Sequence, residues 1–133
     1  MSDIGAVLSA NRAFYRAFAA RDLEAMNQLW ARESQVTCIH PGWDAIRDRA
    51  AILKSWRNIL GNPGSPPVLC HNETAHVLGE VAYVLCHEVI EGAYLVATNL
   101  FVREHGKWKL AHHQAGPLAN PPERPDEPPP RLQ

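Results

Sequence analysis

Val36-Thr37-Cys38-Ile39-His40-Pro41-Gly42-Trp43 runs from a short β-branched segment into a turn that carries an imidazole and an indole. Proline fixes φ and glycine permits positive φ, so Pro41-Gly42 imposes a chain reversal. The reversal sets His40 and Trp43 at the end of a strand, where a sheet stops and pockets are commonly lined. The stretch argues for a small domain built around a pocket.

Upstream, Val7, Leu8, Asn11, Phe14, Tyr15 and Phe18 recur at helical spacing, while Arg12 and Arg16 fall on the opposite side. This is an amphipathic helix with an aromatic face to cover. Arg21 suits its C-terminal end, and Asp22 is placed to cap a second helix bearing Leu23, Met26, Leu29 and Trp30. Glu33-Ser34 is expected to end that helix and lead into the strand before His40. Downstream of the turn, Asp48 is placed to cap a third helix whose stripe is Ile52, Trp56, Ile59 and Leu60. Gly61 to Pro67 stops it.

From Val68 the periodicity changes. Val68–Leu78, Val81–Glu91, Tyr94–Arg103 and Lys107–Gln114 read as strands, separated by Gly79-Glu80, Glu91-Gly92-Ala93 and His105-Gly106. Val81 to Leu85 is apolar on both parities, as in a central strand covered on both faces. In the last strand Trp108, Leu110 and His112 share one face, and Lys107, Lys109 and His113 share the other. Helices followed by a meander predict an α+β fold: a curved antiparallel sheet with three N-terminal helices on one face. Seven of the last seventeen residues are proline, so 1–118 is read as one domain and 119–133 as a flexible, Pro-rich tail.

A chain of 133 residues, 46% hydrophobic and 20% charged, has the composition of an ordinary soluble single domain. Its formal net charge of −1, with no Lys/Arg run, excludes the basic footprint a nucleic-acid partner needs. The longest apolar run, Val81 to Cys86, is far too short to span a bilayer, and no signal peptide is visible, so the expected location is cytoplasmic. Cys38, Cys70 and Cys86 lack the paired spacing of zinc sites and read as reduced thiols. The histidines show no metal-ligand spacing on a helix. Neither metal nor cofactor is expected; His40 with His112 is the pair to check.

Phe14-Tyr15-Arg16-Ala17-Phe18, Arg21-Asp22-Leu23, His40-Pro41-Gly42-Trp43, Ile46-Arg47-Asp48-Arg49 and Gly106 to His113, in that order and spacing, resemble the nuclear-transport-factor-2-like superfamily, SnoaL-like branch. The resemblance covers roughly residues 5–118. It implies a cone-shaped, cystatin-like roll in which the sheet curls, the helices close one side and an apolar pocket opens at the wide end. Relatives include ketosteroid isomerases, dehydratases and polyketide cyclases. The isomerases carry an aspartate base just before the Pro of the turn, where this chain has His40. Their oxyanion donors, a tyrosine of the first helix and a protonated aspartic acid, fall near Tyr15 and near Thr98 or Asn99.

The expected pocket therefore joins Tyr15, His40, Trp43, Trp56, Asn99 and His112. Three roles fit His40: lining the pocket, acting as a general base, or closing the strand end through a backbone carbonyl. Three functions follow. The first is binding of a small, mainly apolar ligand with one carbonyl or carboxylate. The second is isomerase, dehydratase or cyclase chemistry with His40 as base, and the third a ligand-free dimerisation module. A homodimer is expected in each.

Overall fold

The computed structural model describes residues 2–122. Three helices, α1 (Asp3–Ala20), α2 (Leu23–Leu29) and α3 (Arg49–Gly61), accompany five strands. The strands are β1 (Thr37–Ile39), β2 (Leu69–Leu78), β3 (Val81–Ile90), β4 (Ala93–Glu104) and β5 (Lys107–Pro117). They form one curved sheet in the order β1-β5-β4-β3-β2. The fold is α+β, as expected, but the sheet is mixed. Strand β1 lies parallel to β5, pairing Thr37 with His112 and Ile39 with Gln114. The tail expected from residue 119 begins at the edge of the described residues, and 123–133 lie outside them. No helix among the described residues is long and apolar enough to cross a membrane.

Local chemistry sets most boundaries. The Asp22 carboxylate accepts from Ala25 N at 3.0 Å and starts α2, and Asp48 accepts from Ala51 N at 3.0 Å and starts α3. Helix α1 ends at Arg21, whose φ of 56° is left-handed and whose N–H returns to Ala17 O and Phe18 O. Two hairpins turn on residue pairs with both φ positive, Glu91-Gly92 and His105-Gly106. That backbone matches the twist of the flanking strands.

Helix α2 stops at Leu29, short of the expected Glu33-Ser34. The next residues are claimed by the sheet. Trp30 is fully buried and bridges Leu110, and Ala31 N donates to Leu110 O at 2.8 Å. The N–H groups of Arg32, Glu33 and Ser34 then converge on the Glu104 carboxylate at 3.0, 3.0 and 2.9 Å. Burying an indole and satisfying three amides outweighs the few tenths of a kcal/mol per residue that helix propensity offers.

The core lies between helices and sheet, where Val7, Phe14, Met26, Trp30, Ile52 and Trp56 are wholly buried. The outward face of the sheet carries apolar side chains among polar ones: Leu69, Leu78, Leu85 and Val96 are each at least 40% exposed.

A bulge decides which side chains of β5 face the core. Leu100 pairs with His112 and Phe101 with Leu110, so Ala111 is an extra residue on β5. One extra residue reverses parity beyond it. Trp108 and Leu110 face inward before the bulge; His113 and Ala115 face inward after it. The expected placement of His112 beside Leu110 and of His113 opposite is thereby inverted.

Candidate functional site

The turn after β1 is built as its residue types require. Trp43 N donates to His40 O at 2.9 Å, with Pro41 and a Gly42 of φ +83° between them. The turn holds the His40 ring 4.9 Å from Trp43 and 4.9 Å from Trp56, edge-on to both. His40 is only 4% exposed, whereas Trp43 is half exposed at the rim. A cavity of about 200 Å³ opens beside them. Its apolar wall comes from Phe18 of α1, Trp56 and Ile59 of α3, Val68 and Ile90. Its titratable lining is His40, Glu88 and His113.

All three titratable groups are buried, and burial moves each toward neutrality. It lowers His40 to about 4. It lowers His113 to about 3, with the neighbouring His40 and His112 acting in the same direction. Burial raises the Glu88 carboxyl, and the bond from Tyr15 draws it partly back. The Tyr15 hydroxyl is itself pushed well above its ordinary value, by burial first and then by Glu88, so it remains a donor.

Behind the cavity these groups join a polar network inside the core. Tyr15 Oη donates to Glu88 Oε2 at 2.7 Å, and His113 Nε2 stands 3.9 Å from that oxygen. His113 Nδ1 meets Asn99 Oδ1 at 2.5 Å. The Asn99 amide nitrogen donates to Tyr15 Oη at 3.0 Å and to Asn11 Oδ1 at 2.8 Å. Asn11 Nδ2 donates to Glu73 Oε2 at 2.9 Å, and Glu73 Oε1 accepts from Arg12 Nε at 2.7 Å. Wholly buried amides are tolerated because each finds partners; an unpaired one costs about 1–3 kcal/mol.

Of the residues singled out from sequence, His40, Trp43 and Trp56 line the one cavity together. Tyr15 and Asn99 stand behind its wall, bonded to Glu88 and His113. His112 is turned away beyond the Ala111 bulge, with Nδ1 2.5 Å from Thr37 Oγ1. Two lining groups fall outside the set that sequence reasoning singles out. Strict alternation puts His113 on the wrong face, because the bulge has no signature in the local sequence. Glu88 does carry a signal: it shares strand parity with the buried Ala82, Val84 and Cys86, so a carboxyl on the inward face of a central strand is readable. Among the described residues, no three His, Cys, Asp or Glu side chains are grouped to hold a metal ion.

The arrangement offers a mainly apolar chamber walled by two imidazoles held neutral and one carboxyl whose pKa burial raises. Residues 7–120 match the family model described as the SnoaL-like domain. A candidate dehydratase of the nuclear-transport-factor-2-like family from Streptomyces avermitilis is 32% identical, with a TM-score of 0.81 over 89% of this chain and 97% of that one. A candidate calcium/calmodulin-dependent protein kinase type II association domain from Thiobacillus denitrificans is also 32% identical, with a TM-score of 0.71 over 84% and 94%. A nuclear-transport-factor-2-like protein with a cystatin-like fold from Novosphingobium aromaticivorans shares the fold at 18% identity, with a TM-score of 0.68 over 88% and 82%. No curated protein matches the chain. The match along nearly all the described residues, together with the helix order, the sheet and the cavity, shows that this chain belongs to the SnoaL-like family of the nuclear-transport-factor-2-like superfamily.

Proposed function

We propose that the chain binds a small, mainly apolar molecule in the cavity beside His40. The observation that carries this reading is the placement of His40, Glu88 and His113 on the wall of one apolar chamber. Burying three ionisable groups without ion pairing costs stability that a merely structural core avoids by using hydrocarbon. A volume of about 200 Å³ is room for a single ring; cavities of about 150 Å³ hold benzene. A ligand-free dimerisation module would gain from filling that space. Ligand-detected NMR with a fragment library on wild type and His40→Ala tests the reading: hits should weaken in the variant. Hits that bind both proteins equally place the ligand elsewhere.

A second reading, proton-transfer catalysis such as dehydration, has its own support. The Glu88 carboxyl and the His113 imidazole meet within 3.9 Å on the cavity wall, and a 32% identical structure is a candidate dehydratase. Glu88 is the better candidate for the proton-transfer group, because burial raises it toward neutral working pH. His40, lowered to about 4, is a weak base. Turnover of hydroxy-ketone probes that is lost in Glu88→Gln, with binding retained, favours catalysis; binding without turnover leaves the first reading alone.

A further inference from the structure

Resting on the reading of the cavity as a ligand site, the geometry points to a hydrogen-bond polarity for its buried end and so to a ligand class: a neutral ring compound bearing a hydroxyl donor, received by the bare Nε2 of His113. The polarity follows from a chain of obligations that begins at the surface. Glu73, a carboxylate paired with the Arg12 guanidinium, can only accept, so the Asn11 atom facing it at 2.9 Å must be the amide nitrogen. The Asn11 oxygen then faces Asn99 and requires a donor, which fixes the Asn99 nitrogen there at 2.8 Å. The Asn99 oxygen is left for His113 at 2.5 Å, and an oxygen there obliges Nδ1 to carry the proton. A neutral imidazole holds one proton, so Nε2 keeps its lone pair.

A second, independent chain acts on the other imidazole. Ser55 Oγ donates to Ile52 O at 2.6 Å, so toward His40 Nε2, 2.8 Å away, it accepts. His40 therefore carries its proton on Nε2, with Cys38 Sγ 3.7 Å from the same atom. Its Nδ1 is left with a bare lone pair. Each imidazole of the lining thus keeps one bare nitrogen, and Glu88 Oε2 accepts a hydrogen bond from Tyr15 Oη.

The chamber has no Lys or Arg in its lining. A carboxylate ligand would lose its hydration, find no cation in the lining and meet the bare imidazole nitrogens at the buried end. A ketone brings only lone pairs to the imidazoles. An alcohol or phenol donates to His113 Nε2 and can still accept from Glu88 when that group is protonated. This replaces the carbonyl or carboxylate expected from the sequence with a hydroxyl.

Two measurements on the full chain test the proposal. Long-range ¹H–¹⁵N NMR at neutral pH should show His113 protonated at Nδ1 and bare at Nε2, and His40 the reverse; His113 protonated at Nε2 overturns it. Titration with cyclohexanol, cyclohexanone and cyclohexanecarboxylate should show the alcohol about tenfold tighter than the ketone, the worth of one hydrogen bond, and the carboxylate weakest. Ketone or carboxylate binding as tightly as the alcohol, displaceable by it, overturns the polarity while leaving the ligand site in place. If none of the three binds, both the polarity and the site reading fall.

Discussion

Histidine 40 shows how one residue couples the site to stability. Its ring is buried and neutral, with a pKa lowered to about 4 against an unfolded value of about 6.5. The folded state therefore binds fewer protons than the unfolded chain between those values. The stability His40 contributes is complete above pH 6.5 and is lost as pH falls toward 4. A pKa difference of one corresponds to about 1.4 kcal/mol, so the loss is on the order of 3 kcal/mol for this group. Denaturant unfolding of His40→Gln should thus depend less steeply on pH than wild type across that window. Equal slopes would show that His40 is not held neutral. Glu88 works in the opposite sense. Its raised carboxyl contributes stability fully below its unfolded value and loses it as pH rises through the folded one, so Glu88→Gln should gain on wild type toward alkaline pH. His40 is legible as a pocket residue because Pro41-Gly42 marks the turn in two letters. His113 is not, because its inward face depends on one extra residue two positions earlier.

At the scale of elements, what is settled within a few residues is readable and what is settled across the sheet is not. The Asp22 and Asp48 caps, the stripe Ile52-Trp56-Ile59-Leu60 and the tight hairpins follow from neighbours along the chain. The end of α2 does not. It is decided by Glu104, roughly seventy positions away, whose carboxylate gathers the amides of Arg32, Glu33 and Ser34 and the Ser34 hydroxyl. Partial burial works against the charged form of Glu104, but these donors outweigh it and leave its pKa lowered. Glu104→Ala strips a charged acceptor from three backbone donors, those of Arg32 and Glu33 exposed and that of Ser34 partly buried. The expected loss is about 1–3 kcal/mol in urea unfolding. Because the pKa is lowered, the contribution is present above the unfolded value and is lost as pH falls. A variant as stable as wild type at neutral pH would mean that solvent serves the segment equally well. The parallel docking of β1 on β5 is equally hidden, since nothing in Thr37-Cys38-Ile39 names its partner strand.

The whole molecule buries one face of its sheet under three helices and leaves exposed apolar side chains on the other. Leu85 on β3 and Val96 on β4, 40% and 44% exposed, stand on that open face of the central strands. Large apolar side chains left exposed on the central strands of a sheet suit an interface better than solvent. We therefore expect a homodimer paired through the sheet, sedimenting at twice the 14.8 kDa of the chain at micromolar concentration. Val96→Glu should return it to the monomer by placing a charge in a desolvated interface. A wild-type chain that sediments as a monomer contradicts this arrangement. The cavity lies on the other side of the sheet, under α1 and α3, so the Val96→Glu monomer should keep its ligand affinity.

The chamber walled by His40, Glu88 and His113 is expected to receive a small neutral molecule. A crystal of the full chain soaked with cyclohexanol tests it most directly. Ring density is expected between Trp56 and Ile90, with the hydroxyl oxygen within hydrogen-bond distance of His113 Nε2. An empty chamber, with the alcohol ordered only on the open face of the sheet, would contradict it.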